Sequence, residues 1–177
     1  MNYKNVPSQF NWENLGDVVE GRTNLGDEMP VLVYRLFQYT LKDILLREYG
    51  NETCVELLRA AGHLAGTEFA KNVLDLSGDF DYFITGLQNQ LASLKIGILR
   101  IEKADIENLS FTLTVSEDLD CSGLPVIDDT VCDYDEGFIA GILEVYTGKP
   151  FKVREIDCWA SGDRTCRFTA ESVKNAA

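Results

Sequence analysis

The chain has 177 residues, enough to bury the core of a single domain, and its 45% apolar and 25% charged residues are typical of a globular protein. Its formal net charge of −13, without a basic stripe, disfavours direct binding to nucleic acid or to an anionic membrane. The N-terminus has no signal-peptide pattern, and no apolar run approaches the roughly 20 residues that cross a bilayer. We therefore expect a cytoplasmic protein with reduced thiols, and its odd total of five cysteines also argues against a disulfide framework.

The first half of the chain predicts an arm followed by three helices. Residues 1–26 contain three glycines and the short apolar pair Val18–Val19, so we interpret them as an irregular arm with at most one short strand. Apolar residues then recur at helical spacing over residues 31–49, 51–69 and 81–94. In the second of these helices, Gly62 and Gly66 would allow a neighbouring helix to approach closely.

The second half of the chain changes to the period of a sheet. Apolar and polar residues alternate in NLSFTLTVSED, which predicts a strand with one buried face, and IGILRIEKAD predicts its neighbour. A fourth helix follows, with Thr130 and Asp133 resembling a capping box, and two further strands flank the turn ASGD. We predict an α+β fold over residues 27–171, with helices packed on a four-stranded antiparallel sheet in the order ααα-ββ-α-ββ. Residues 172–177 are left as a tail.

Three cysteines are placed so that they could meet. Cys132 begins the predicted fourth helix, Cys158 ends a strand, and Cys166 lies in the next strand beyond a tight turn. The hairpin brings Cys158 and Cys166 together, and the first turn of the helix could add Cys132. Cys54, in contrast, lies in a helix beside apolar residues and is interpreted as a small buried hydrophobe.

Glu155 suggests what these sulfurs could do. It alternates with Phe151 and Val153 on one strand, so the pattern would bury a carboxylate among apolar side chains, which is costly without a partner. Three thiolates and one carboxylate form a tetrahedral shell that suits zinc, and soft sulfur ligands disfavour magnesium or calcium. The alternative is three buried cysteines with Glu155 turned outward, and without a CxxC pair the spacing leaves both interpretations open.

The segment TVCDYDEGFIAGILEVYTGKPFKVREIDCWASGDRTCRF resembles the C-terminal half of the 4-vinyl reductase, or hydrocarbon-binding, domain family. GRTNLGDEMPVLVYRLF and CSGLP fit the same family, so the resemblance extends from about Gly21 to Phe168. It implies the fold of the TRAPP transport subunits, usually as a homodimer. It also implies a structural zinc ion, because phenol-sensing activators with this domain hold zinc by three cysteines and one glutamate. Those positions fall here on Cys132, Glu155, Cys158 and Cys166.

Cys121 lies outside that ligand set, in the loop DLDCSGLP. An accessible thiol there could act as a redox sensor. Asp118 and Asp120 would raise the pKa of the thiol, which favours a plain loop cysteine.

The resemblance implies that a small apolar molecule binds between the helices and the sheet. Aromatic residues from several elements could line such a pocket, although each could equally be core: Phe69, Tyr82, Phe83, Phe111, Tyr134 and Phe138. The phenol sensors hold the phenol hydroxyl with a His and a Trp, and counting back from Cys132 places Phe83 and Phe111 at those positions. We therefore expect a ligand more apolar than phenol, because a hydroxyl without a partner would cost about 1–3 kcal/mol. The one histidine, His63, is expected at a helix interface.

Three classes of function follow. The first is a stand-alone, zinc-stabilised module that binds a small apolar molecule for sensing or carriage and signals to a separate downstream protein. The second is an enzyme or accessory protein in vinyl-group reduction of a tetrapyrrole, from which the family takes its name; the sequence shows no nicotinamide or flavin site. The third is an assembly scaffold without a ligand, as in the TRAPP subunits.

Overall fold

The computed structural model describes residues 8–173 and confirms the α+β class. In this part of the chain four helices and four strands form, with short 3-10 turns at Trp12–Leu15 and Trp159–Ser161. Their bounds are α1 Val18–Gly21, α2 Val31–Val73, α3 Phe80–Ser93, β1 Ile98–Asp105, β2 Ser110–Ser116, α4 Asp133–Thr147, β3 Phe151–Asp157 and β4 Cys166–Ser172. No helix among these residues has the length and apolar character of a membrane span. The first seven residues of the predicted arm and the last four of the predicted tail lie outside the described range.

The arm is helical where a strand was considered. Val18 and Val19 lie in α1, whose N-cap Asp17 accepts the backbone N–H of Glu20 at 2.8 Å. A side-chain cap satisfies an amide that a helix start leaves without a partner, and no neighbouring strand is present among the described residues to pair with this segment. The expectation of a short strand here was therefore wrong.

The first two predicted helices are two segments of one long helix. α2 runs from Val31 to Val73, and Gly50 interrupts it with φ 78° and ψ 169°. A positive φ is readily available to glycine, so the helix kinks at the residue where the sequence predicts an end. We refer to residues 31–49 as the first segment of α2 and to residues 51–73 as the second.

The four strands form one antiparallel sheet in the order β1-β2-β4-β3. The predicted alternation in β2 is confirmed, because Phe111, Leu113 and Val115 are buried in the core beneath the helices. β4 lies in the centre of the sheet and contributes Phe168, which is fully buried. The sheet therefore supplies the floor on which α3 and α4 pack.

α4 crosses the second segment of α2 at very short range. A Cβ atom added at Gly62 would lie 2.0 Å from the carbonyl oxygen of Tyr134, and one added at Gly137 would lie 2.0 Å from that of Arg59. Gly66 and Gly141 make equivalent contacts along the same crossing. The predicted close approach at Gly62 and Gly66 is confirmed, and it fixes the position of the first turn of α4.

The predicted capping box at the start of α4 does not form. Cys132 is the N-cap residue, without a side-chain cap. Asp133 instead pairs with Lys42 at 3.1 Å and with Arg59 at 3.4 Å, both on α2. Ion pairs to another helix thus replace the local cap and orient Cys132 toward the sheet.

Candidate metal centre and apolar cavity

The three predicted cysteine ligands converge at the junction of α4 with the β3–β4 connection. The Sγ of Cys132 lies 3.9 Å from that of Cys158 and 3.9 Å from that of Cys166. All three side chains are buried. The helix start, the end of β3 and the first residue of β4 therefore meet as the sequence pattern predicts.

A fourth sulfur, that of Cys121, joins this group. Its Sγ lies 3.0 Å from that of Cys166, and its side chain is fully buried. The four sulfur atoms, of Cys121, Cys132, Cys158 and Cys166, all lie within 4.8 Å of one another. The interpretation of Cys121 as a plain loop cysteine was therefore wrong. We call these four residues the cysteine cluster.

Glu155 lies beside the cluster, with its carboxylate turned inward. Its Oε2 accepts the backbone N–H of Cys132 at 3.0 Å, and its Oε1 is buried without a hydrogen-bond partner among the described residues. Burial, followed by the field of the Cys158 sulfur, raises the pKa of Glu155 to about 8. The sequence-based alternative of an outward-turned side chain does not fit this geometry.

The donor set fits a zinc ion. Zinc–sulfur bonds of about 2.3 Å in a tetrahedron place sulfurs about 3.8 Å apart, close to the two 3.9 Å distances at Cys132. The Cys121, Cys132 and Cys166 side chains lower the pKa of the Cys158 thiol, because they donate hydrogen bonds to its thiolate. The buried cluster of four cysteines could therefore hold a metal ion, and four soft sulfur ligands favour zinc over magnesium or calcium.

The loop that carries Cys121 is held by the first segment of α2. Arg35 donates to the carbonyl oxygens of Leu119 at 2.7 Å and Ser122 at 2.9 Å. The hydroxyl group of Tyr34 donates to Asp120 Oδ1 at 2.7 Å. These contacts join residues more than 80 positions apart, which is why local sequence pattern did not predict the position of the loop.

An apolar cavity lies next to the cluster, between α3, α4 and the sheet. Its volume is about 40 Å³, space for about three water molecules. Apart from two acids its walls are apolar: Phe80, Ile84, Leu87, Leu91, Ile96, Leu99, Ile101, Phe111, Leu113, Val115, Phe138, Ile139, Ile142 and Leu143. The cavity is therefore suited to a small molecule that is mostly hydrocarbon.

The two acids, Asp118 and Asp135, give the cavity a polar wall that the sequence reasoning missed. Asp135 Oδ2 is buried without a hydrogen-bond partner among the described residues. Burial, then the field of Asp120, raises the pKa of Asp118 to about 7, and burial also raises that of Asp135. A signal was present, since Asp135 stands three positions before Phe138 on the inner face of α4.

The six predicted aromatic residues are divided between the cavity and other sites. Phe111 and Phe138 line the cavity. Phe83 stacks on Tyr146 with ring centroids 3.9 Å apart, and Phe69 packs on Phe138. The two tyrosines differ: Tyr82 is exposed and donates to Asp75 at 3.0 Å, and Tyr134 stacks on Phe138 from the α2 side.

His63 lies between helices, in agreement with the sequence interpretation. Its Nε2 is 2.8 Å from a carboxylate oxygen of Glu144, which joins α2 to α4. Trp159, which follows Cys158, donates its indole N–H to the carbonyl oxygen of Leu124 at 3.1 Å. Both side chains therefore support the packing around the cluster.

Comparison with known proteins places this site in a family. Residues 111–172 match the model of the 4-vinyl reductase domain. An uncharacterised protein of Methanocaldococcus jannaschii is 29% identical over 154 residues, which cover 85% of this chain and 83% of that protein. Two further uncharacterised proteins of this organism are 28% and 37% identical over 103 and 87 residues, respectively 58% and 49% of this chain. The chain spans only 58% and 42% of the lengths of these two.

Solved structures share the fold at low sequence identity. A vinyl-4-reductase family protein from M. jannaschii superposes with a TM-score of 0.64 at 19% identity, over 95% of this chain and all of that one. The phenol-responsive sensory domain of the transcription activator PoxR, with phenol, gives 0.65 at 19% identity, over 84% and 78%. A trafficking protein particle complex subunit 3 from Naegleria fowleri, covalently bound to palmitic acid, gives 0.64 at 12% identity, over 81% and 95%. The predicted TRAPP-like fold is thereby confirmed.

Proposed function

The chain carries a 4-vinyl reductase domain, and on that premise we propose that it binds a small, largely apolar molecule for sensing or carriage, in a frame stabilised by zinc. The observation that carries the proposal is the apolar cavity between α3, α4 and the sheet. A similar fold in the PoxR sensory domain was solved with phenol, which supports a small-molecule role for this architecture.

The ligand is expected to carry one hydrogen-bond donor. Asp135 Oδ2 is buried without a partner among the described residues and belongs to a residue that lines the cavity. An unsatisfied buried acceptor costs about 1–3 kcal/mol, and a ligand hydroxyl or amine that reaches it would remove this cost. This revises the expectation from sequence, which had no polar anchor for a hydroxyl group.

The size of the cavity sets a second requirement. A volume of about 40 Å³ is less than an aromatic ring needs, so a ligand as large as phenol must displace side chains. Phe80 and Phe138 are the mobile candidates, because both are only partly buried and both line the cavity. We expect aliphatic molecules of about three or four heavy atoms to bind without rearrangement.

Contacts from the cavity reach the surface of α2. Asp118 lines the cavity and accepts the backbone N–H of Cys121 at 3.1 Å. Arg35, on the first segment of α2, donates to the carbonyl oxygens of Leu119 and Ser122, which lie on either side of Cys121 in the loop. Filling the cavity can therefore bias the position of this segment, which gives sensing a physical route.

The outer face of the same segment supports homodimerisation. Leu32, Leu36 and Phe37 are each more than 60% exposed. The arm also exposes apolar side chains, those of Leu15, Val19 and Leu25. A second copy of the chain that exchanged its arm across this helix would cover both surfaces, and isolated monomers rarely expose large apolar patches.

The zinc ion is proposed to be structural. Cys132, Cys158 and Cys166 would join the start of α4 to the ends of β3 and β4, with the fourth position closed by Glu155 or Cys121. A full shell leaves no site to activate water, and binding energy then contributes to folding. When bound, zinc would act as a cross-link and not as a reactant.

A matched ligand panel tests the binding proposal. Phenol, its methyl ether anisole, toluene, and isopropanol against propane separate donor chemistry from shape and size. We expect thermal shifts for phenol and isopropanol that exceed those of their partners without a donor. No shift with any probe, and an empty native mass spectrum, would favour a scaffold. Turnover of a vinyl tetrapyrrole with added reductant, absent after boiling, would favour an enzyme.

A further inference from the structure

The backbone around Cys121 is fixed so that its sulfur lies in the cluster. Asp118 Oδ1 accepts the N–H groups of Asp120 at 2.8 Å and Cys121 at 3.1 Å. The N–H of Leu119 donates to the carbonyl oxygen of Ile96 at 2.8 Å. A loop pinned on both sides does not need to reorganise to present this thiol, so Cys121 is preorganised toward the other three.

Glu155 competes with Cys121 for the fourth position of a metal shell. Its buried Oε1 has no partner among the described residues, and a metal ion could satisfy it. However, its Oε2 already holds the N–H of Cys132, and no oxygen of Glu155 belongs to the set of ligand atoms that lie within 4.8 Å of one another. The carboxylate thus has a positioning role that it would have to give up in part to reach a central ion.

The sulfur geometry favours Cys121. The two distances of 3.9 Å between Cys132 and its neighbours match the edge of about 3.8 Å in a tetrahedral zinc–thiolate site. The Cys121–Cys166 distance of 3.0 Å needs to open by about 0.8 Å to reach the same edge. This adjustment is within the reach of two side-chain torsions and needs no movement of a strand.

We infer that the metal ion is bound by four sulfur atoms, those of Cys121, Cys132, Cys158 and Cys166, and that Glu155 positions Cys132 without binding the ion. This inference rests on the metal of the proposed function. It changes the ligand set expected from the family resemblance at one position.

X-ray absorption at the zinc edge tests the inference on the unmodified chain. Four sulfur neighbours at about 2.3 Å are expected, whereas a Glu155 ligand would give three sulfurs and one oxygen at about 2.0 Å. The second pattern would overturn the inference while leaving the metal in place. An absence of bound zinc would overturn the metal itself.

Cobalt substitution supplies the variant test. Thiolate-to-cobalt charge-transfer absorption grows with the number of bound thiolates, so Cys121→Ser should lose about a quarter of it per bound ion. Glu155→Gln should keep that intensity and the visible band positions, because Gln retains the acceptor for the Cys132 N–H. The opposite result, with full intensity in Cys121→Ser and shifted bands in Glu155→Gln, would refute the assignment.

Discussion

The crossing of α2 and α4 allows a prediction in which the same substitution has opposite effects at two sites. In Gly137→Ala, the new Cβ would lie 2.0 Å from the carbonyl oxygen of Arg59 and 2.7 Å from the amide nitrogen of His63. Ordinary contact begins at 3.4 Å, so the two backbones must separate by about 1.4 Å. Overpacking costs about 1–3 kcal/mol, and the upper end applies because the obstacle is backbone. After subtracting a helix-propensity gain of about 1 kcal/mol, the net loss is about 2 kcal/mol.

Gly86→Ala is the matched control. Gly86 lies within α3, and a Cβ added there meets nothing within 4 Å, so only the propensity gain remains, up to about 1 kcal/mol of added stability. Urea unfolding followed by circular dichroism should lower the midpoint for Gly137→Ala and leave or raise it for Gly86→Ala. Equal midpoints, or shifts in the same direction, would refute the close backbone contact and with it the reason for the position of α4.

Three further predictions concern the metal, the ligand and the dimer. Cys158→Ser should lose bound zinc and a large part of the stability, whereas Cys54→Ser, a buried cysteine outside the cluster, should keep the metal; equal metal content in both variants would contradict the site. Asp135→Leu should abolish the preference for phenol over toluene, a change of at least about tenfold in relative Kd, without loss of toluene binding; a retained preference would remove Asp135 as the donor's partner. Phe37→Glu should convert a dimer to a monomer in light scattering, and an unchanged mass would exclude this face as the interface.

Much of the fold was available from the sequence because local patterns determine it. The alternation in β2 predicts which side chains face the core, and Gly50 marks the kink between the two segments of α2. The convergence of Cys132, Cys158 and Cys166 follows from a hairpin and a helix start that are each visible as patterns. These predictions needed only neighbours in sequence.

The missed features depend on contacts that sequence spacing does not record. Cys121 enters the cluster because Arg35 and Tyr34, more than 80 residues earlier, hold its loop. The acidic wall of the cavity arises because Asp135 occupies an inward position of α4 that the sequence reasoning assigned to no role. Val18 was considered for a strand but lies in a helical turn, because Asp17 caps it and no partner strand is available among the described residues.

The most direct test of the account is the metal content of the chain together with its melting temperature. Protein isolated without chelators and measured by elemental analysis should contain one zinc ion per chain. Removal of that ion by a chelator at neutral pH should lower the melting temperature sharply, and re-addition of zinc should restore it. A folded chain that contains no transition metal, or one whose melting temperature is unchanged by the chelator, would contradict the claim that a metal ion joins α4 to the sheet.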